Sequence, residues 1–183
     1  MRVIAGSARG AALASPAGLQ TRPTADRARE ALFSSLAAEV PGCRFLDLFA
    51  GTGAVGIEAL SRGADAACFA DKAAEAIEVI RRNLDKTKLT NRAEVFHADA
   101  LAVIAQLAVR KDRFDIIFLD PPYGTGLARQ AAEAILSAGL LAGNGLLVIE
   151  RAAKEETLTL TGARLWKEKR YGAAAIDMYE VNA

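Results

Sequence analysis

Histidine and cysteine are scarce in this sequence, which has one histidine and two cysteines among 183 residues. Cys43 and Cys68 each lie beside or within an apolar run, and two cysteines are too few for a disulfide framework. We therefore expect reduced, buried thiols in a cytoplasmic protein. His97 has no cluster of cysteine or histidine around it in the sequence, so no metal site is predicted.

Long apolar runs and an excess of charge are missing too. No stretch approaches about 18 consecutive apolar residues, which predicts that no segment spans a membrane. The N-terminus M-R-V-I-A-G-S-A-R-G lacks the apolar segment of a secretory signal. With 25% charged residues and a net charge of +1, the composition is that of a globular protein. Any surface that binds nucleic acid must therefore be local.

From residue 44 onward, apolar segments of strand length alternate with helical patterns. The predicted strands are 45–50, 66–70, 93–97, 114–120 and 146–150, and the predicted helices are 54–61, 73–86, 101–109 and 127–138. This order predicts an α/β fold in which helices cover both faces of a mostly parallel sheet. Segments 164–171 and 174–181, joined across Gly172, predict an antiparallel hairpin at one edge. We expect one domain over 1–183, with an extension over 1–40 and a core over 41–183.

The N-terminal extension has its own pattern. Residues 2–21 are rich in glycine and alanine and predict an irregular hairpin, and T-R-P-T-A-D-R-A-R-E-A-L-F then opens a helix. Arg22, Arg27 and Arg29 cluster where this helix begins. The cluster is equally compatible with a solvated helix face and with a surface that contacts phosphate or carboxylate groups.

A glycine-rich loop follows the first predicted core strand. F-L-D-L-F-A-G-T-G-A-V-G places Gly51, Gly53 and Gly56 between a strand and a helix, which fits the G-x-G-x-x-G pattern of dinucleotide sites. An NAD-binding enzyme is therefore one interpretation. However, Asp47 lies just before the loop, where its charge would repel a pyrophosphate. It would instead attract the ammonium group of S-adenosylmethionine, which carries no phosphate.

Two further carboxylates follow the next two predicted strands. Asp71 ends the second strand, where it can accept hydrogen bonds from both ribose hydroxyls. Asp99 follows the third strand, where it can accept from the adenine amino group, although a helix N-cap is the simpler role. Because the carboxyl ends of parallel strands are where open α/β sheets bind ligands, we expect Asp47, Asp71 and Asp99 to bind S-adenosylmethionine. Gly51 and Gly53 of the loop belong to the same predicted cofactor site.

The fourth strand ends in the motif D-P-P-Y, residues Asp120, Pro121, Pro122 and Tyr123. The prolines lack N–H groups and fix φ, so the motif predicts a rigid corner that offers only hydrogen-bond acceptors. Such acceptors suit the exocyclic amino group of a base, aiming its nitrogen at a methyl donor. Tyr123 supplies a flat surface for an unstacked base. We predict amino-group methylation at this corner, without a metal.

These motifs together resemble those of a known family. L-D-L-F-A-G-T-G and L-D-P-P-Y look like class I S-adenosylmethionine-dependent amino-methyltransferases. R-V-I-A-G-S-A-R-G followed by T-R-P-T-A-D-R-A-R-E-A-L-F resembles, more narrowly, the bacterial small-subunit ribosomal RNA guanine-N2 methyltransferases. The resemblance covers residues 1 to about 181. It implies a Rossmann-like fold with a seven-stranded sheet, and methylation of the N2 amino group of one guanine in 16S rRNA.

The resemblance also implies roles for individual residues. Asp120, Pro121 and Tyr123 would surround the guanine amino group, and the segment from Arg22 to Arg29 would lie over the cofactor cleft. The partner would be 16S rRNA, within an assembling small-subunit particle; we expect a monomer and no membrane partner. Two features depart from the family pattern: Ser34 replaces an asparagine, and Arg9 is the only basic residue of G-S-A-R-G-A-A-L-A-S-P. Because each missing charge weakens contacts to phosphate, either RNA binding depends on other basic residues, Arg22, Arg27, Arg29 and those of 167–170, or the substrate differs somewhat.

Three alternatives to guanine methylation remain open besides NAD binding. The same corner could hold the amino group of adenine, which would make the protein an N6-adenine methyltransferase acting on DNA or RNA. Protein glutamine methyltransferases use a similar corner, with asparagine in place of Asp120. The fold could also serve a non-catalytic RNA-binding assembly factor.

Overall fold

Seven strands and five α-helices make up the described part of the chain. The computed structural model describes residues 1–15 and 23–181, without the side chains of residues 23–25. Its strands are β1 (Arg44–Leu48), β2 (Ala66–Asp71), β3 (Ala93–His97), β4 (Phe114–Leu119), β5 (Leu141–Ala152), β6 (Ala163–Tyr171) and β7 (Ala174–Val181). Its α-helices are α1 (Pro23–Ser35), α2 (Ala54–Ser61), α3 (Ala74–Thr87), α4 (Ala100–Val109) and α5 (Leu127–Ser137), and a short 3-10 helix covers Thr90–Arg92.

All seven strands join in one sheet, in the order β3-β2-β1-β4-β5-β7-β6. The first five strands along the chain pair in parallel. The last two pair antiparallel with each other, and β7 also pairs antiparallel with β5. The mostly parallel sheet and the antiparallel C-terminal hairpin predicted from the sequence are therefore confirmed.

Apolar side chains cover both faces of the sheet, because neighbouring residues of a strand point to opposite sides. In β1, Phe45 packs with α1, α2 and α3 on one face, and Leu46 and Leu48 pack with α4 and α5 on the other. All three β1 side chains are fully buried. This two-sided burial explains why the central strands read as continuous apolar runs.

The strand boundaries lie within two residues of the predicted ones, except at the start of β5. β1 ends at Leu48 because Phe49 has a φ of 64°, a left-handed conformation that does not fit a strand. β5 begins at Leu141, five residues before the predicted start at 146. Its first part is irregular, with a register shift on β4 between Phe114 and Ile116 and a φ of 62° at Asn144. The glycines around Asn144 interrupt the apolar run and hide this part of the strand.

The N-terminal extension is attached to α2 by polar contacts. Arg2 and Ala12 form an antiparallel bridge, as a hairpin would require; residues 16–21 of the predicted hairpin lie outside the described residues. Glu58 of α2 is fully buried and accepts hydrogen bonds from the backbone N–H groups of Ile4 and Ala5. Gly6 lies so close to α2 that a Cβ atom there would be 1.7 Å from the Ser61 carbonyl oxygen. These contacts hold the extension beside the carboxyl ends of β1 and β4.

The chain direction creates a cleft between β1 and β4. After β1 the chain enters α2 on one face of the sheet, and after β4 it enters α5 on the opposite face. Adjacent parallel strands whose connections diverge in this way leave a crevice at their carboxyl ends, where α/β proteins bind ligands. None of the described helices combines the length and apolar character needed to cross a membrane.

Candidate active site

The glycine loop after β1 turns tightly and is shaped by packing. Gly51 and Gly53 have φ values of 56° and 73°, and Gly53 is the N-cap residue of α2. Left-handed conformations favour glycine, because a Cβ atom would strain them. Gly56 serves another purpose, since a Cβ there would lie 2.3 Å from Cε1 of Phe69 on β2. The third glycine therefore lets α2 approach the sheet.

Two carboxylates near the glycine loop accept hydrogen bonds from backbone N–H groups. Asp47 of β1 accepts from Gly56 N–H at 2.9 Å. Asp71, at the end of β2, accepts from the N–H groups of Gly51 and Ala73, both at 2.9 Å. The predicted site residues Asp47, Gly51 and Asp71 therefore belong to one bonded unit, in which the carboxylates fix the shape of the loop.

Asp99 has the simpler of the two roles that the sequence left open, and it also lines a cavity. Its side chain accepts a hydrogen bond from Leu101 N–H at 2.9 Å and caps the N-terminus of α4. Asp99 also lines a cavity of about 530 Å³, together with Asp71, Phe49 and the D-P-P-Y residues. A structural role as a cap therefore does not remove this residue from the candidate site.

A second, smaller cavity adjoins the first. It measures about 210 Å³ and lies between the glycine loop, α1 and the end of β4. Phe49 and Asp120 line both cavities, so the two cavities meet at these residues. The smaller cavity is lined by three acidic side chains, those of Asp47, Asp120 and Glu150, and by one basic side chain, that of Arg29.

Burial raises the pKa of carboxyl groups that line this cavity. Asp47 is 1% exposed, and burial raises its pKa from 3.8 to about 7, although the Gly56 N–H bond opposes the rise. The pKa of Asp120 is raised well above its usual value, chiefly by desolvation and then by the negative charges of Glu150 and Asp47. A cationic ligand would relieve the repulsion among these carboxylates.

The D-P-P-Y corner follows the end of β4 and lies at the cleft. Asp120 is reached by solvent through the open cleft, yet its carboxyl group is surrounded by protein, which explains the raised pKa. Among the described residues none donates a hydrogen bond to it. Pro121 is buried, Pro122 is exposed, and 45% of the Tyr123 surface is accessible. The corner thus combines a carboxylate without a protein donor with an accessible aromatic ring.

Glu150, the last residue of the predicted strand 146–150, also lines this site. The Tyr123 hydroxyl donates to Glu150 Oε1 at 3.0 Å. Desolvation raises the pKa of the Glu150 carboxyl group, and the Tyr123 hydrogen bond partly opposes this. The available signal was the parallel between the two predicted strands 114–120 and 146–150, which both end in an acidic residue.

The three arginines at the start of α1 have different environments. Arg22 lies outside the described residues, and Arg27 is exposed. Arg29 is only 6% exposed, donates to the Arg2 carbonyl oxygen at 2.6 Å and lies 3.2 Å from an Asp26 carboxylate oxygen. Burial lowers the pKa of Arg29, and the charges of Asp26 and Glu58 oppose this. Arg29 therefore faces the smaller cavity instead of forming a solvated patch.

Metal ligands are not grouped in the described residues: no set of three or more histidine, cysteine, aspartate or glutamate side chains there could hold an ion. Cys43 and Cys68 are buried free thiols, as expected from the sequence. Burial raises the pKa of each thiol to about 12, so both stay protonated and unreactive at neutral pH.

The sheet order, the glycine loop after β1 and the acidic corner after β4 define the fold of class I methyltransferases. A solved structure described as "Putative methyltransferase yhhF from Escherichia coli" superposes with a TM-score of 0.90 at 34% identity, covering 100% of this chain and 98% of that chain. A methylase structure from Haemophilus influenzae gives a TM-score of 0.82 at 30% identity over 100% of this chain and 99% of that chain.

The chain belongs to the family described as "Conserved hypothetical protein 95", whose pattern matches residues 1–180. A Bacillus subtilis protein named "Putative rRNA methyltransferase YlbH" is 37% identical over 98% of both chains. "Ribosomal RNA small subunit methyltransferase D" of Escherichia coli K12 is 34% identical over 100% of this chain and 91% of its own length. The family resemblance drawn from the N-terminal and D-P-P-Y motifs is thereby confirmed.

Proposed function

We propose that this protein transfers a methyl group from S-adenosylmethionine to the N2 amino group of a guanine in small-subunit ribosomal RNA. The observation that carries the proposal is the convergence of Asp47, Asp120 and Glu150 on one cavity beside the glycine loop. An acidic cavity suits a ligand that is cationic at two places, its ammonium and its sulfonium group. The relatives named as ribosomal RNA methyltransferases support the choice of substrate.

The residues on both sides of the cleft fit S-adenosylmethionine. The larger cavity has room for a nucleoside, with Asp71 available to the ribose and Asp99 to the adenine amino group. In the smaller cavity Asp47 would bind the ammonium group, and the buried guanidinium of Arg29 would bind the carboxylate. An NAD pyrophosphate would meet Asp47 and Asp120 instead, so the cavity charge disfavours the dinucleotide alternative.

The D-P-P-Y corner would hold the acceptor nitrogen. When bound, S-adenosylmethionine supplies an electrophilic methyl group attached to sulfur. The Asp120 carboxylate and the Pro121 carbonyl would accept the two N–H bonds of the guanine amino group and orient its lone pair toward that methyl group. Because the pKa of Asp120 is raised, this carboxylate is also suited to take the proton that the nitrogen loses. The accessible ring of Tyr123 would stack on the base.

Basic residues of α1 and β6 would supply the RNA contacts. Arg27 at the start of α1 faces solvent, and Lys167, Lys169 and Arg170 lie on the edge strand β6. The predicted contact at Arg22 lies outside the described residues and remains a prediction, as does the monomeric state. With a net charge of +1, we infer that recognition takes place on an assembling ribonucleoprotein particle, where neighbouring RNA and protein present the guanine.

A methyl-transfer assay tests this proposal. Small-subunit particles from cells that lack the enzyme are incubated with the protein and labelled S-adenosylmethionine, and the labelled nucleotide is then mapped. We expect label in a single N2-methylguanine of the 16S rRNA. Label in N6-methyladenine or in protein would contradict the guanine assignment, and the absence of transfer to any substrate would favour a non-catalytic assembly factor.

A further inference from the structure

Glu150 and Asp120 lie side by side at the carboxyl end of β4. β4 and β5 are parallel neighbours whose register pairs Leu119 with Ile149, so the next residues are Asp120, directly after β4, and Glu150, within β5. Both side chains line the smaller cavity. Glu150 also lines a third cavity, of about 340 Å³, behind Pro121, Pro122 and Tyr123. The carboxylate of Glu150 therefore lies next to the position proposed for the target amino group.

The hydrogen bonding of Glu150 is incomplete. Tyr123 donates to Oε1, and no other described residue donates to the carboxylate or forms an ion pair with it. Glu58 provides a contrast, since it accepts from Ile4 N–H, Ala5 N–H and the Arg62 guanidinium. A largely buried carboxylate without enough donors is destabilising unless a ligand provides them. The hydrogen bonding of the Glu58 carboxylate is thus satisfied within the protein, whereas the Glu150 carboxylate can accept further hydrogen bonds.

The bases differ in what they offer to such a pair of carboxylates. The Watson–Crick edge of guanine carries N–H donors at both N2 and N1, so two adjacent acceptors can bind it. The corresponding edge of adenine has an amino donor at N6 but a lone pair at N1. Asp120 and the Pro121 carbonyl can accept hydrogen bonds from the amino group of either base. The D-P-P-Y corner alone therefore does not discriminate between guanine and adenine.

We propose that Glu150 selects guanine by accepting a hydrogen bond from N1–H while Asp120 holds the N2 amino group. This inference rests on the proposed methylation of guanine N2 and assigns the base selectivity to a residue outside the D-P-P-Y motif. With adenine, the N1 lone pair would face the Glu150 carboxylate, and neither group would have a donor. Sites that leave a buried acceptor unpaired discriminate strongly, by factors of about 10² or more.

A narrower role for Glu150 would be to fix the Tyr123 ring through the hydroxyl hydrogen bond. Tyr123→Phe removes this hydrogen bond while leaving the carboxylate in place, so it is the matched control. Glu150→Gln keeps the shape of the side chain, and its amide can donate to a base that lacks N1–H. If Glu150 acts only through Tyr123, the two variants should respond alike to changes in the base.

The test uses 2-aminopurine, which keeps the 2-amino group of guanine but has a lone pair at N1. Particles are reconstituted with ligated 16S rRNA that carries either guanine or 2-aminopurine at the mapped target, and single-turnover rates are measured. For the wild type we expect guanine to react about 10²-fold faster than 2-aminopurine. In Glu150→Gln this preference should fall at least about tenfold, and in Tyr123→Phe it should stay near the wild-type value.

Comparing the preference for guanine among the wild type and the variants separates this proposal from a role of Glu150 through Tyr123 alone. 2-Aminopurine also lacks O6, but that loss affects wild type and variant equally and cancels in the ratio. An unchanged preference in Glu150→Gln would overturn the proposal, as would an equal loss in Tyr123→Phe. Glu150→Ala should lose the preference too, which guards against an effect peculiar to glutamine, and thermal melting verifies that each variant is folded. If the wild type methylates adenine instead, the proposed function itself fails.

Discussion

Two groups of carboxylates face each other across the cleft and differ in their hydrogen bonding. On the glycine-loop side, Asp47, Asp71 and Asp99 each accept at least one backbone N–H bond. On the side of the D-P-P-Y corner, Asp120 has no donor among the described residues, and Glu150 has only the Tyr123 hydroxyl. The first group therefore belongs to the folded framework, while the second lacks donors that a ligand could provide.

This difference suggests how the two halves of the site divide their tasks. The glycine-loop side is shaped before any ligand binds, because its carboxylates are tied to backbone groups and its helix is packed tightly on the sheet. The corner side keeps acceptors with raised pKa values, which destabilises the ligand-free protein. Such destabilisation is common where chemistry takes place, since the same groups stabilise the bound substrate.

Replacing Asp120 should have the largest effect. Asp120→Asn keeps the shape of the side chain but removes the negative charge opposite the amino group. We expect the single-turnover methylation rate to fall about 10³-fold. The dissociation constant for S-adenosylmethionine, measured by calorimetry, should rise much less, by about tenfold at most, because Asp47 and Glu150 still line the cavity. If the affinity for S-adenosylmethionine fell as much as the methylation rate, Asp120 would belong with the carboxylates of the glycine-loop side. The division of the site into two groups would then be wrong.

Two alanine substitutions in the glycine loop should differ in how much they lower the free energy of unfolding. Gly56→Ala places a Cβ 2.3 Å from the Phe69 ring, so we expect the free energy of unfolding to fall by about 2–3 kcal/mol. In Gly51→Ala the new Cβ has no neighbour within 4 Å, but φ is 56°, so backbone strain alone should reduce it by about 1 kcal/mol. Urea denaturation measures both. Equal losses in the free energy of unfolding would show that the packing of α2 against β2 does not shape the glycine-loop side of the site.

Replacing Asp71 should mainly weaken cofactor binding. Asp71→Ala removes the proposed ribose contact and the acceptor for Gly51 and Ala73 N–H. We expect the S-adenosylmethionine dissociation constant to rise about 30-fold, equivalent to about 2 kcal/mol. At saturating cofactor the methylation rate should recover to near the wild-type value. Asp115, an exposed acid on β4, offers a control substitution that should leave the affinity unchanged.

The first group was easier to predict from the sequence than the second. Asp47, Asp71 and Asp99 are located by short-range pattern, since each lies in or just after an apolar strand segment followed by a helical one. The role of Glu150 depends on β4 and β5 being neighbours and on Tyr123 reaching across to it. Contacts of this kind depend on tertiary packing, which strand periodicity does not reveal.

Arg29 shows the same limit on a helix. The apolar stripe through Ala28, Leu32 and Leu36 indicates which side of α1 faces the core, and Arg29 lies next to that stripe. Its burial depends on the N-terminal extension, because the Arg2 carbonyl accepts one of its hydrogen bonds. The irregular pattern of residues 2–21 could not locate this contact, so the arginine cluster fitted a solvated face and a binding surface equally well.

The smallest effect concerns Asp47, the one carboxylate that is bonded to the framework and yet has a raised pKa. Because burial raises this pKa from 3.8 to about 7, the folded protein binds the proton more tightly than the unfolded chain does. The contribution of Asp47 to stability is therefore fully present below about pH 4 and is lost as the pH rises to about 7. Asp47→Asn does not titrate and can still accept the Gly56 N–H bond. The free energy of unfolding of the wild type, relative to this variant, should thus fall by about 1 kcal/mol between about pH 6 and about pH 7.5.

Chemical denaturation of both ligand-free proteins across this range checks the prediction, and parallel curves would contradict it. Cofactor binding should show the opposite trend, because the ammonium group prefers the ionised carboxylate. The wild-type affinity for S-adenosylmethionine, relative to Asp47→Asn, should therefore rise as the pH increases through about 7. Taking the ratio to the variant cancels the titration of Glu150, which lines the same cavity. The titration of Asp120 cancels only in part, because the charge of Asp47 contributes to its raised pKa. Asp47 both shapes the loop and would bind the cofactor. At the pH at which its carboxylate binds S-adenosylmethionine most tightly, it would therefore stabilise the ligand-free protein least.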